Sequence, residues 1–285
     1  MITVRLKHTY QVPSKWEDFT PDHGKQFVAL CSAMDDFERG VFSFKQFQIC
    51  AVFALMSVDI DKVHHPGDVA NENIYRLTEL LTFPYRIHEQ EDGSRAASAH
   101  ICVHRNLLPE LGGHKGYRLD VSPAGVVECD LTAEKYTDAL TLTDLYTRTR
   151  HQSTLEELVK VLYGCIDGID LYEMTAVYYN FRGFLEWLQS LPQYALIFRT
   201  TGRKKGGESP LGLASSIFTI SKQGYGTLAE IRALDCFQYL GVLVQMSIDS
   251  IHQLAAAGLK AGEISDKTNI PIDLILPYLT ETTEP

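Results

Sequence analysis

The residues most able to hold a metal or move a proton lie near the middle of the chain. His100, Cys102 and His104 alternate with Ile101 and Val103, so in an extended strand all three project to one face. Two imidazoles and a thiolate are zinc-ligand chemistry. His64, His65, His114 and Asp120 fall in the same histidine-rich stretch. The run has no C-x-x-C partner, however, and its apolar neighbours are those of a packed strand. It therefore reads as strand histidines. A metal-dependent enzyme or metal-binding protein is the alternative function, and no cofactor or catalytic residue is assigned.

A second chemistry lies in the basic stretch from Arg199 to Gly207, where Arg203, Lys204 and Lys205 stand between glycines. Such a loop can cradle phosphate, but no strand leads into a G-K-S/T sequence, so it is not a P-loop. It reads as a solvated loop or a contact surface. A third group is aromatic. Tyr178, Tyr179, Phe181, Phe184 and Trp187 crowd one helical stretch, and a single face of 3.6-residue periodicity takes Phe181, Phe184, Leu185 and Leu188. Tyr178, Tyr179 and Trp187 cannot all share that face, so they are candidates for contact with another subunit, where aromatics are enriched. Paired acids such as Asp35/Asp36 and Asp167/Asp170 sit where helix ends are expected and read as caps.

These residues need elements to carry them. Ile2, Val4 and Leu6 alternate into a strand over 2–10. Thr20-Pro21 and Ser43 open helices, and Asn71–Leu81 continues the series. The stretch 85–130 reads as short strands (85–88, 98–103, 117–121 and 126–129), with Ser122-Pro-Ala-Gly125 as the turn of a hairpin. Helical periodicity returns after Asp130. Ser153 to Glu156 is a capping box, Tyr172–Leu191 is the aromatic helix, and Thr227–Gly258 is the longest helix in the chain. The expected fold is mainly α, a multi-helix α+β fold with an N-terminal strand. Its expected division is 1–84 (strand plus helical hairpin), 85–130 (a small β-rich insertion) and 131–285 (a helical region that can form one domain with 1–84).

The chain has 285 residues and a formal net charge of −10, which repels phosphate backbones at long range and argues against a nucleic-acid partner. Six cysteines are spread along it without a C-x-x-C pair, as expected of reduced thiols in a cytoplasmic protein. Neither a signal peptide nor a membrane span is legible, since the longest apolar stretches, such as Cys50 to Met56, are too short to cross a bilayer.

Four stretches carry a resemblance: Val12-Pro-Ser-Lys-Trp16-Glu-Asp-Phe19, Leu155 to Tyr163, Tyr194-Ala-Leu-Ile-Phe198, and Gly224-Tyr-Gly226-Thr-Leu-Ala-Glu230. In this order and spacing the chain resembles uncharacterised proteins of phages and prophages of Bacteroidetes, some from tail-gene neighbourhoods. The resemblance covers about half the chain, mostly its helical parts, and leaves out 85–130. It implies a phage structural or tail-assembly (chaperone-like) protein. Such a protein would act through contacts with other phage proteins or with copies of itself, in the host cytoplasm or on the virion.

Overall fold

The computed structural model describes residues 1–5, 9–58, 68–90, 92–122, 125–199 and 211–280. The chain is mainly helical, and among the described residues its sheets are all two-stranded. Two compact units emerge, one of Met1–Glu128 with His151–Glu186, the other of Cys129–Arg150 with Trp187–Pro285. This division differs from the expected one. Residues 85–128 fall in the first unit, where the 100–119 stretch is hydrogen-bonded to residues of 151–186.

In the first unit, β1 (Ile2–Arg5) and β2 (Thr9–Val12) pair antiparallel. The single strand expected over 2–10 is thus a hairpin. Trp16 follows in a short 3₁₀ turn, Trp16–Asp18, and the Ser14 N–H and hydroxyl before it both donate to Asp18 Oδ2 at 2.8 Å. The indole packs at 4.9 Å between centroids against Phe83 and at 5.4 Å against Phe19. Helix α1 (Gly24–Glu38) buries Phe27, Leu30, Cys31 and Met34, the periodic stripe that the sequence presents. Helix α2 (Phe44–Leu55) starts at a reciprocal box of Ser43 with Gln46, and α3 is Asp68–Leu80. Four short strands form one hairpin from β3 (Tyr85–Glu89) and β4 (Arg95–Ala99), and a smaller one from β5 (Glu110–Leu111) and β6 (His114–Lys115). Next, β7 (Leu119–Val121) pairs with β8 (Val127–Cys129), the hairpin read from its turn residues.

Helix α5 (Gln152–Tyr163) begins after His151, two residues before the expected cap at Ser153. Helix α6 (Leu171–Ser190) follows; through Glu186 it belongs to the first unit. In the second unit α4 (Ala133–Thr149) packs with α8 (Leu211–Lys222) and α9 (Leu228–Ala233). The long helix expected over 227–258 is two helices. Leu234 turns extended, and the Asp235 carboxylate accepts from the N–H groups of Phe237 and Gln238 to restart the chain as α10 (Cys236–Ala256). A cap that satisfies otherwise orphaned donors outcompetes continuation of the helix. Helices α11 (Ala261–Thr268) and α12 (Ile272–Thr280) bury Ile264, Ile270 and Ile275 with Ile251 of α10 and with Leu196 of the short α7 (Ala195–Phe198). Among the described residues no helix is long and apolar enough to cross a membrane.

Candidate functional site

The stretch His100–His104 leaves β4 and crosses α6 in extended form. Ile101 and Val103 are buried against α6, and the Val103 N–H donates to the Gly183 carbonyl at 3.1 Å. A Cβ at Gly183 would lie 2.7 Å from Ile101 Cγ1 and 2.8 Å from Val103 Cγ2, so only glycine admits this approach. His100, Cys102 and His104 take the other side, half-buried, in the alternation expected. Their neighbours are not those of a cation site. Burial, then the charges of Arg86 and Arg182, press the His100 pKa down to about 4. Burial and Arg105 lower that of His104. The Arg86 guanidinium lies 3.2 Å from His100 Nε2 and that of Arg105 lies 3.1 Å from His104 Nε2. Burial, with Glu186 and Glu17 nearby, raises the Cys102 thiol. Among the described residues no three His, Cys, Asp or Glu side chains converge as a metal ligand set. The three candidates line one side of a packed segment that continues past β4, beside cations that oppose a metal ion's charge.

The next residues, 105–109, lie outside the strands and are held by two main-chain bonds, from the Asn106 N–H to the Leu119 carbonyl at 2.8 Å and from the Gly116 N–H to the Pro109 carbonyl at 3.0 Å, and by side chains. Asn180 of α6 is buried; its Oδ1 accepts from the Leu107 N–H at 2.7 Å and its Nδ2 donates to the Arg105 carbonyl at 3.2 Å. Asn106 spans the same loop, donating to the Tyr117 carbonyl at 2.8 Å and accepting from the Leu108 N–H at 3.0 Å. The Tyr163 hydroxyl of α5 donates to the Leu108 carbonyl at 2.5 Å. Each buried backbone group so served escapes the desolvation penalty of an unmade bond.

This fixed segment is one wall of an open groove of about 1040 Å³. The opposite wall is the first half of α1, from Gly24 to Ser32, and the start of α6 closes one end. Val28, Leu107, Leu108 and Leu111 contribute apolar surface, and the exposed Tyr172 stands at the end. The charged lining residues are Asp22, Glu110, Asp170 and Glu173 against Lys25. Asp170 and Glu173 also cap α6 reciprocally, at 2.9 and 3.0 Å, so both carboxylates hold fixed positions at the rim.

The aromatic expectation is corrected. Tyr178 and Tyr179 are both fully buried and offer no surface to a partner. Tyr179 stacks edge-on to Tyr178 and donates its hydroxyl to Glu38 Oε2 at 2.9 Å, and Glu38 in turn pairs with Arg182 at 2.7 Å. A helix buried on more than one face takes aromatics on more than one face, which a one-face reading misses. Trp187 is half-buried, its ring 6.2 Å from that of Phe237. Arg203, Lys204 and Lys205 lie outside the described residues. No local sequence signal marks the groove, because its walls lie far apart in sequence. Comparison with protein-family models, with curated proteins and with solved structures finds no match to this chain.

Proposed function

We propose that the protein works through protein–protein contacts, as a structural or assembly protein of the phage or prophage tail and virion kind that its sequence resembles. The groove between α1 and the 107–111 segment would receive a basic, amphipathic segment of a partner protein. One observation carries this reading: an apolar floor lies beside a rim of four carboxylates and a single lysine. Apolar side chains of the incoming segment would bury against Val28 and Leu111, and its cations would meet Asp22, Glu110, Asp170 and Glu173. Complementary charge of this sort speeds encounter and rejects acidic partners. The wall is set before binding by Asn180, Asn106 and Tyr163, so little ordering entropy is lost on association.

The test is co-expression of the full chain with the products of its neighbouring genes, followed by size-exclusion chromatography with light scattering. Support is a complex that weakens with added salt and is lost in Val28→Glu, while Arg118→Glu on the exposed β7 side retains it. A strict monomer with no co-eluting partner overturns the reading. So does a complex, or a homo-oligomer, indifferent to Val28→Glu.

A further inference from the structure

Cys129 closes β8 and Cys236 opens α10, 107 positions later, yet their Sγ atoms lie 3.5 Å apart. That is hydrogen-bonding contact between two thiols, about 1.5 Å longer than a disulfide bond. Main-chain bonds create the approach. The Cys236 N–H donates to the Leu131 carbonyl at 2.9 Å and the Ala133 N–H to the Leu234 carbonyl at 2.7 Å, with Thr132 and Asp235 paired as an antiparallel bridge between them. The stretches 129–133 and 234–236 therefore run side by side as a clamp, with a thiol on each arm.

We infer that Cys129 and Cys236 form an oxidisable dithiol site, converted to an intrachain disulfide by small-molecule disulfides. Cys129 is half-exposed and Cys236 is fully buried, so a reagent meets Cys129 first. The hydrogen bond between the two thiols, aided by the backbone at Leu131, lowers the Cys129 pKa, whereas that same bond and burial raise Cys236. The attacking thiolate and the resolving thiol are thereby distinguished. Burial pushes the thiols of Cys31, Cys50 and Cys102 up, which disfavours them as competitors.

The exchange proceeds in two steps. The Cys129 thiolate attacks one sulfur of the small disulfide; that S–S bond breaks, and one small thiolate departs and takes up a proton. Cys236 then loses its proton to solvent and attacks Cys129 Sγ, expelling the second small thiol. Two protein thiols are oxidised, and one disulfide is reduced to two thiols. The product ties the strand entering α4 to the first turn of α10.

The experiment exposes the folded full-length protein to oxidised glutathione, alkylates the remaining thiols and maps the peptides by mass spectrometry. Two of the six thiols should vanish together into a single Cys129–Cys236 cross-link that dithiothreitol reverses. In Cys236→Ser the reaction should stop at a glutathione adduct on Cys129, formed several-fold faster than on the half-exposed Cys165. If that variant fails to fold, the wild-type cross-link map decides alone. A cross-link between other cysteines, or faster oxidation of Cys165 with Cys129 and Cys236 still alkylatable, overturns the inference.

Discussion

Two connecting segments are fixed in contrasting ways. Residues 105–109 are held largely by the side chains of Asn106, Asn180 and Tyr163, beside main-chain bonds from the Asn106 N–H to the Leu119 carbonyl and from the Gly116 N–H to the Pro109 carbonyl. Residues 129–133 are held by main-chain bonds to 234–236. The first arrangement gathers its stability in a few buried polar groups, each serving backbone atoms that water cannot reach. The second spreads it along the backbone, where no single side chain is required. A segment of the first kind is rigid and fragile to substitution, which suits the wall of a binding groove. A segment of the second kind tolerates exchange of its side chains and leaves thiols free for chemistry.

Four measurements would break or sharpen this contrast. Asn180→Leu should have the largest effect. It strands the Leu107 N–H and the Arg105 carbonyl, and urea unfolding should show a loss of about 3 kcal/mol. A loss below about 1 kcal/mol would mean that side chains do not hold the wall. Next comes Gly183→Ala. In an open helix this change gains about 1 kcal/mol. Here the added carbon meets Ile101 and Val103 below 3.0 Å, so a net loss of about 1–2 kcal/mol is expected by the same measurement. A gain would show that the strand slides away from α6.

Cys129→Ser, in the main-chain clamp, should shift stability by less than about 1 kcal/mol under reducing conditions; a loss as large as that of Asn180→Leu would erase the distinction between the two stretches. The smallest effect is electrostatic. The His100 pKa falls from the usual 6.5 to about 4 on folding, so the unfolded chain binds the extra proton between those values. The contribution of His100 is therefore complete above pH 6.5 and is lost as pH falls towards 4. It is under about 1 kcal/mol after solvent screening of a half-exposed group. His100→Gln should flatten the dependence of stability on pH in that window. An unchanged slope would remove His100 from the account.

Much of the helical scaffold was legible because its signals are local. Ser43 with Gln46 marks the start of α2, and Phe27, Leu30, Cys31 and Met34 display the buried stripe of α1. The break at Leu234–Asp235 was also readable, since Asp235 and Gln238 have capping-box spacing, but an unbroken apolar periodicity masked it. The burial of Tyr178 and Tyr179 was not legible, since periodicity tells one face of a helix from another but not how many are covered. His100, Cys102 and His104 share a side as the alternation required, but the guanidiniums beside them come from Arg86 and Arg105, of which Arg86 stands on a paired strand.

The amino-acid sequence alone determined what depends on residues a few positions apart: the helix starts, the strand alternation around Ile101 and Val103, the β7–β8 turn and the acidic balance of the chain. Tertiary structure alone decided what depends on distant residues. It placed Asn180 beneath Leu107, laid α1 against the 107–111 segment to form the groove, and brought Cys236 to Cys129. The physical reason is the range of the interactions. Caps and periodicity act within a turn or two of chain, whereas a groove or a thiol pair exists only when separate segments are packed at contact distance.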